Sequence, residues 1–311
     1  MVFPFVCVHN LLKFRLDNLH VISKKSVPLQ KVMKCITLCK NILMRENNKS
    51  TYNQLDSYLK EVRSQGRYAF RLDELKNVFQ MQYPAIKQRL HRLKLKNEIA
   101  VIRQGFYVII PAEYSKQGVL PPYLFIDDLM KSLNKSYYVG LLSAAALHGA
   151  GHQQPMGYTV VTESPAPRSI DKLNIMFFSK QNFLQEGIIQ QKTAAGYINI
   201  SSPERTALDF FDYVHKFGIN RITTILQELS EAMKPAILAK TAKQFPNTAA
   251  IQRLGYILEN EIGAEKLSDT LYKVLNERQF FVIPLSLSKE KKGETDSKWK
   301  IIKNIEIESD L

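Results

Sequence analysis

Apolar residues recur at helical spacing along the first third of the chain. Leu55, Leu59 and Val62 stand four and three apart, one face of a 3.6-residue period, so a helix is predicted there, ended by Gly66. Tyr68-Ala69-Phe70 reads as a short β-like link. Leu72, Leu75, Val78 and Phe79 give a second stripe, followed by the polar turn Gln80-Met81-Gln82. Pro84 then opens a third helix, where a first-turn proline loses no helical bond. That helix is expected to bury Ile86, Leu90 and Leu93. Ala100 to Arg103, the turn Gln104-Gly105, and Phe106 to Ile110 read as a hairpin with its glycine in the turn. Three short helices and a hairpin within Tyr52 to Ile110 predict a winged helix-turn-helix, whose third helix enters the DNA major groove.

The polar side of the third helix gives the candidate site. Lys87, Gln88, Arg89, His91, Arg92, Lys94 and Lys96 point away from its apolar stripe, and Arg103 lies in the hairpin. Arg, Lys and Gln reach phosphates and purine edges. The competing reading is a solvated basic helix; the order of elements around it favours DNA.

Beyond Leu120 the pattern changes to a balanced mixture. Pro121-Pro122 is expected to start a helix with Leu124, Leu129, Met130 and Leu133, and Val139 to Leu147 a small-residue helix ending at Gly149. Strands are expected at Tyr158 to Thr162, Leu173 to Phe178 and Tyr197 to Ile200. Ser201 to Arg205 opens a helix with the stripe Leu208, Phe211, Val214; Ser202 with Pro203 and Ser201 with Glu204 are both open as its cap. Helices follow near 221–233, 235–244, 248–262 and 265–276, with closing strands at Phe280 to Ile283 and Trp299 to Ile302. The charged run Lys289 to Asp296 between them is expected to be mobile. No internal repeat is visible. The expected fold class is α+β: an N-terminal winged helix-turn-helix at 44–118, followed by a larger mixed α/β domain at 119–311.

Charge sharpens this division. The net charge of +14 splits as +6 over 1–43, +7 over 44–118 and +1 over 119–311. An excess confined to the first two segments suits phosphate neutralisation. A membrane-surface role would want aromatic anchors beside the basic residues, and the third helix lacks them. No apolar run approaches the roughly 18–20 residues of a membrane span, and Val2 to Val8 lacks the flanks of a signal peptide. Three cysteines, Cys7, Cys35 and Cys39, do not make a disulfide framework and suggest a reducing interior, hence a cytoplasmic protein. Residues 1–43 are an atypical basic extension. Two readings stay open: a mis-assigned start with Met44 opening the protein, or an arm that adds phosphate contacts.

Candidate chemistry is sparse. His148 and His152 lack the glutamate of the zinc-protease helix, and glycines at 149 and 151 break any helix between them. Gly149-x-Gly151 follows a helix rather than a strand, unlike a dinucleotide loop. Glu290-x-Lys292 lacks a partner acid on a strand, and Asp209 and Asp212 are expected to be solvated. No cofactor, metal or catalytic residue is expected.

The sequence resembles a known family. Tyr138 to Gly149 with Gln153-Gln154-Pro155 resembles the middle motif of the AbiEi-type antitoxins, regulators of abortive-infection, type IV toxin–antitoxin operons. Ser202 to Asp209 looks like their second motif, and Arg253 to Glu259 and Trp299 to Asp310 like their C-terminal ones. The resemblance covers about residues 52–311. It implies an N-terminal winged helix and a C-terminal antitoxin domain. It further implies repression of the protein's own operon through inverted repeats, and opposition to a co-encoded nucleotidyltransferase-type toxin without a stable complex. A ligand-sensing winged-helix transcription factor and a DNA-targeted enzyme are the competing classes.

Overall fold

The computed structural model describes residues 54–79, 83–151 and 155–307. The extension 1–43, the turn Gln80-Met81-Gln82, His152 and the last four residues lie outside these. The described residues fall into two compact units, 54–61 with 83–89, and 62–79 with 90–151 and 155–307.

The element order at the start is helix, strand, helix, helix, hairpin. Helix α1 is described over 54–64 and buries Leu55, Leu59 and Val62 as its spacing predicts. Strand β1 (Ala69–Arg71) runs into α2 (Leu72–Val78). Glu74 accepts the Arg71 backbone N–H at 3.0 Å, satisfying one of the orphan donors at a helix start. Leu75 and Phe79 are buried, but Val78, expected on the same stripe, is 58% exposed. The helix ends there, and the extended backbone of Phe79 turns its own ring inward instead. Helix α3 (Tyr83–Leu95) carries Pro84 as its second residue and buries Ile86, Leu90 and Leu93. Asn97 then takes a left-handed φ of 55°, a common way to stop a helix. Strands β2 (Ile99–Arg103) and β3 (Phe106–Ile109) pair antiparallel around Gly105, whose φ of +76° suits a residue without a Cβ. Strand β1 adds to the far side of β3, giving the sheet order β1-β3-β2.

The larger unit is built on a second, five-stranded sheet. Helix α4 (Ile126–Ser132), β4 (Tyr137–Val139), α5 (Leu141–Leu147), β5 (Tyr158–Glu163), β6 (Ile175–Lys180), β7 (Ile188–Thr193) and β8 (Gly196–Ser201) lead to the order β6-β5-β4-β8-β7. The β5–β6 and β4–β8 pairs are parallel, while β4–β5 and β7–β8 are antiparallel. Side chains alternate between two cores, as a pleated strand requires. Tyr138, Val161 and Phe178 face one core, shared with α5, α6 (Pro203–Asp212), α8 (Ile219–Ala232), α9 (Pro235–Gln244), α10 (Thr248–Asn260) and α11 (Glu265–Asn276); the short α7 (Val214–Phe217) joins α6 to α8. Tyr137, Val139, Val160, Ile175, Ile198 and Ile200 face the other, shared with α4. Ala69, Phe106 and Val108 of the first sheet belong to that second core too. A small third sheet, β10-β11-β9, closes the chain with β9 (Ile283–Pro284), β10 (Thr295–Asp296) and β11 (Ile301–Ile302).

Several sequence expectations change. Val139 to Leu147 is not one helix: Tyr137–Val139 is a central strand and Gly140 breaks it from α5. A Cβ at Gly140 would come within 2.9 Å of Val161, so the crossing needs glycine. Pro122–Leu124 is a separate 3-10 turn before α4, and Leu173 lies in another 3-10 turn, with the strand beginning at Ile175. The polar strand β7 has no hydrophobic alternation to announce it. Trp299 lies in a turn rather than a strand. Thr295–Asp296, expected in a mobile loop, pairs antiparallel with Ile301–Ile302. Among the described residues, no helix is long and apolar enough to cross a membrane.

Candidate nucleic-acid interface and the buried motif network

Helix α3 exposes its polar side. Lys87, Gln88, His91, Arg92, Lys94 and Lys96 are all exposed, and α3 has no acid in its first turn. Lys96 approaches Glu98 at 3.9 Å, an exposed pair of little energetic weight. The two predicted contacts that are not exposed, Arg89 and Arg103, have partners within the protein. Arg89 is 15% exposed and its Nη2 donates to both carboxylate oxygens of Asp56 on α1, each at 2.7 Å. Arg103 is half-buried, and its guanidinium donates to the backbone carbonyl of Arg168.

The family-like motifs meet elsewhere, on the helical core. Ser202 is the N-cap of α6: its hydroxyl accepts the Arg205 N–H, and Pro203 occupies the first turn. Glu204, the alternative capping partner, is 1% exposed and accepts the backbone N–H of Lys234, where α9 begins. Asp209 and Asp212, expected in solvent, are instead structural. Asp209 is fully buried and accepts from Tyr138 Oη at 2.7 Å, Arg205 Nε at 3.0 Å and Lys180 Nζ. Lys180 also pairs with Asp212 at 2.8 Å, and Asp212 accepts from Asn247, the N-cap of α10. The helical stripe failed as a guide because α6 is enclosed on nearly every side; Glu204 through Phe211 are all buried.

Electrostatics explains why the cluster holds. Two cations and two anions sum to zero, and each buried charge has a partner, as burial demands. Burial raises the Tyr138 hydroxyl well above its ordinary range, and neighbouring Asp209 adds to this, so the phenol stays a donor. Burial works against the Arg205 guanidinium, but Asp209 and Tyr138 outweigh it and hold it above its ordinary value. The Arg205 and Lys180 head groups also lie over the Phe245 ring, at 5.2 and 4.7 Å. Gly187 makes room, since a Cβ there would meet Arg205 Cβ at 2.8 Å. The Arg205–Asp209 spacing of four was the one signal visible in sequence; Tyr138 and Lys180 join only through the sheet.

The third motif fastens the closing sheet. Arg253 is nearly buried and donates to the carbonyls of Pro284 and Leu285, and Gln252 to those of Phe281 and Trp299. Gly255 seats the Trp299 ring, which a Cβ would approach to 2.0 Å. Glu259 accepts the indole N–H at 2.8 Å. His148, considered as a metal ligand, instead donates Nε2–H to the Ser201 carbonyl at 2.7 Å. Among the described residues, no group of His, Cys, Asp and Glu is arranged to hold a metal ion.

A mixed sheet between two cores, with a buried charge cluster along α6, defines the body as an α+β domain. Residues 138–260 match the family model described as the AbiEi antitoxin C-terminal domain. The chain therefore carries the C-terminal domain of the AbiEi-type antitoxins, and the match supports an antitoxin role in a type IV toxin–antitoxin system. The fold is similar to the crystal structure of RV2827C protein from Mycobacterium tuberculosis, with 16% identity, a TM-score of 0.57, and coverage of 81% of this chain and 91% of that one. Among curated proteins, none matches the chain.

Proposed function

We propose that this chain is a DNA-binding antitoxin that represses its own operon and opposes a co-encoded toxin of nucleotidyltransferase type. The observation that carries the DNA half is α3: a helix with a buried apolar stripe and an exposed face of Lys87, Gln88, His91, Arg92, Lys94 and Lys96. In this reading α1 to α3 and the β2–β3 hairpin are a winged helix-turn-helix, and α3 lies in the major groove. Operator DNA with inverted repeats is the partner, and the toxin is opposed without a stable complex. The antitoxin half rests on the domain matched at 138–260. The role is binding rather than catalysis, and Asp209, with three donors already upon it, serves the fold.

The test joins two assays. A promoter reporter and a gel shift on the DNA upstream of the operon measure repression; growth under induction of the neighbouring toxin measures neutralisation. The Lys87/Arg92/Lys94 triple alanine variant is expected to lose operator binding and repression. Expressed from a foreign promoter at wild-type level, it should still rescue growth. Native operator affinity in that variant would end the DNA reading. Failure of the wild-type chain to rescue growth would end the antitoxin reading.

A further inference from the structure

Arg103 ends β2, one residue before the hairpin turn, where a cation would ordinarily be read as reaching for phosphate. Its surroundings are those of a strut. The guanidinium donates to the carbonyl of Arg168, in the loop before β6. It lies 5.6 Å from the centroid of the Phe177 ring on β6. Its Nε is shut off from solvent. Burial accordingly lowers its affinity for a proton relative to free arginine. Phe177 packs on the same core that takes in Phe106 and Val108 of the hairpin. The hairpin is thus held by apolar contact, including Ala100 and Ile102 of its outer strand, and at the turn end of that strand by the Arg103 guanidinium.

We propose that Arg103 is a positioning residue for DNA binding: it fixes the hairpin to the body and neutralises no phosphate itself. This rests on the reading of α3 and the hairpin as a DNA-binding element. A rigid planar fork aims its N–H at the carbonyl while its face lies on the ring; lysine, a point charge on a flexible stem, fixes that geometry poorly, whereas it can replace arginine in a phosphate contact. That difference separates the two roles.

The experiment is fluorescence anisotropy of the full chain on the upstream operator DNA across a salt series. Wild type should give a slope of log K against log salt on the order of −4 to −5. Arg103→Ala should weaken binding by roughly tenfold at every salt concentration while leaving that slope unchanged. Arg103→Lys should behave like the alanine variant. Phe177→Leu, which removes the ring without touching charge, should give the same signature and guards against a fold defect peculiar to position 103. Lys94→Ala serves as the contrast, with a slope shallower by about one. A slope shallower by about one in Arg103→Ala, restored affinity in Arg103→Lys, or native affinity in both Arg103→Ala and Phe177→Leu would overturn the assignment. A wild-type chain that shows no salt-dependent binding would overturn the DNA reading itself, and this inference with it.

Discussion

The cations of α3 and those around Asp209 are the same residue types put to opposite uses. On α3, Lys87, Arg92, Lys94 and Lys96 are exposed to solvent, where a charge costs little. Around α6, Lys180 and Arg205 are taken out of water and matched by Asp209 and Asp212. Replacing one of the first kind changes what the protein meets. Replacing one of the second kind changes whether the protein folds. Arg89 and Arg103 stand between these extremes, polar in sequence context but partnered in the fold.

The sharpest way to break this contrast is Asp209→Ala. It would leave Lys180 and Arg205 buried with half their compensation, a loss of about 3–5 kcal/mol in urea unfolding. A loss below about 1 kcal/mol would mean the site admits water and the cluster is not the buried network described. Gly255→Ala comes next. Alanine favours helix over glycine by roughly 1 kcal/mol, but its methyl would collide with Trp299, so a net loss of about 1–3 kcal/mol is expected. Trp299 is the only tryptophan, so its fluorescence reports the displacement directly.

Smaller effects on stability sharpen the exposed side. Lys94→Ala should leave the unfolding free energy within about 0.5 kcal/mol of wild type. A clear loss of stability there would place Lys94 among the structural cations.

The smallest expected effect concerns Asp128 on α4. Burial chiefly holds its carboxyl above the ordinary range; Asp127 and Glu74 push the same way, while Arg67 and Lys131 oppose them. The folded state therefore binds this proton more readily than the unfolded state does. Stability is greatest below the ordinary aspartate value and falls as pH rises toward the folded one. Asp128→Asn should be slightly more stable than wild type at neutral pH, with the advantage vanishing in acid. An advantage that instead grew in acid would reverse the assigned sign.

Much of this was legible in the sequence because it is local. The stripes of α1 and α3, the Gly105 turn, the helices at 235–244 and 265–276, and the exposed basic face all depend on residues a few positions apart. Periodicity reads such features directly. The motif residues were visible as a resemblance, but their work was not. Asp209 looked solvated because its partners Tyr138 and Lys180 stand 71 and 29 residues away. Gly255 owes its identity to Trp299, which arrives from the closing turn.

By itself, then, the sequence determined where helices and turns form, which faces are apolar, and where the net positive charge accumulates. Tertiary structure alone decided which charges are buried. It paired Lys180 with Asp209, turned Arg103 toward Arg168, and made a central strand of Tyr137–Val139. The physical reason is the range of the forces. Backbone propensity and periodicity act within a few residues, whereas the cost of a charge depends on whatever the fold packs around it.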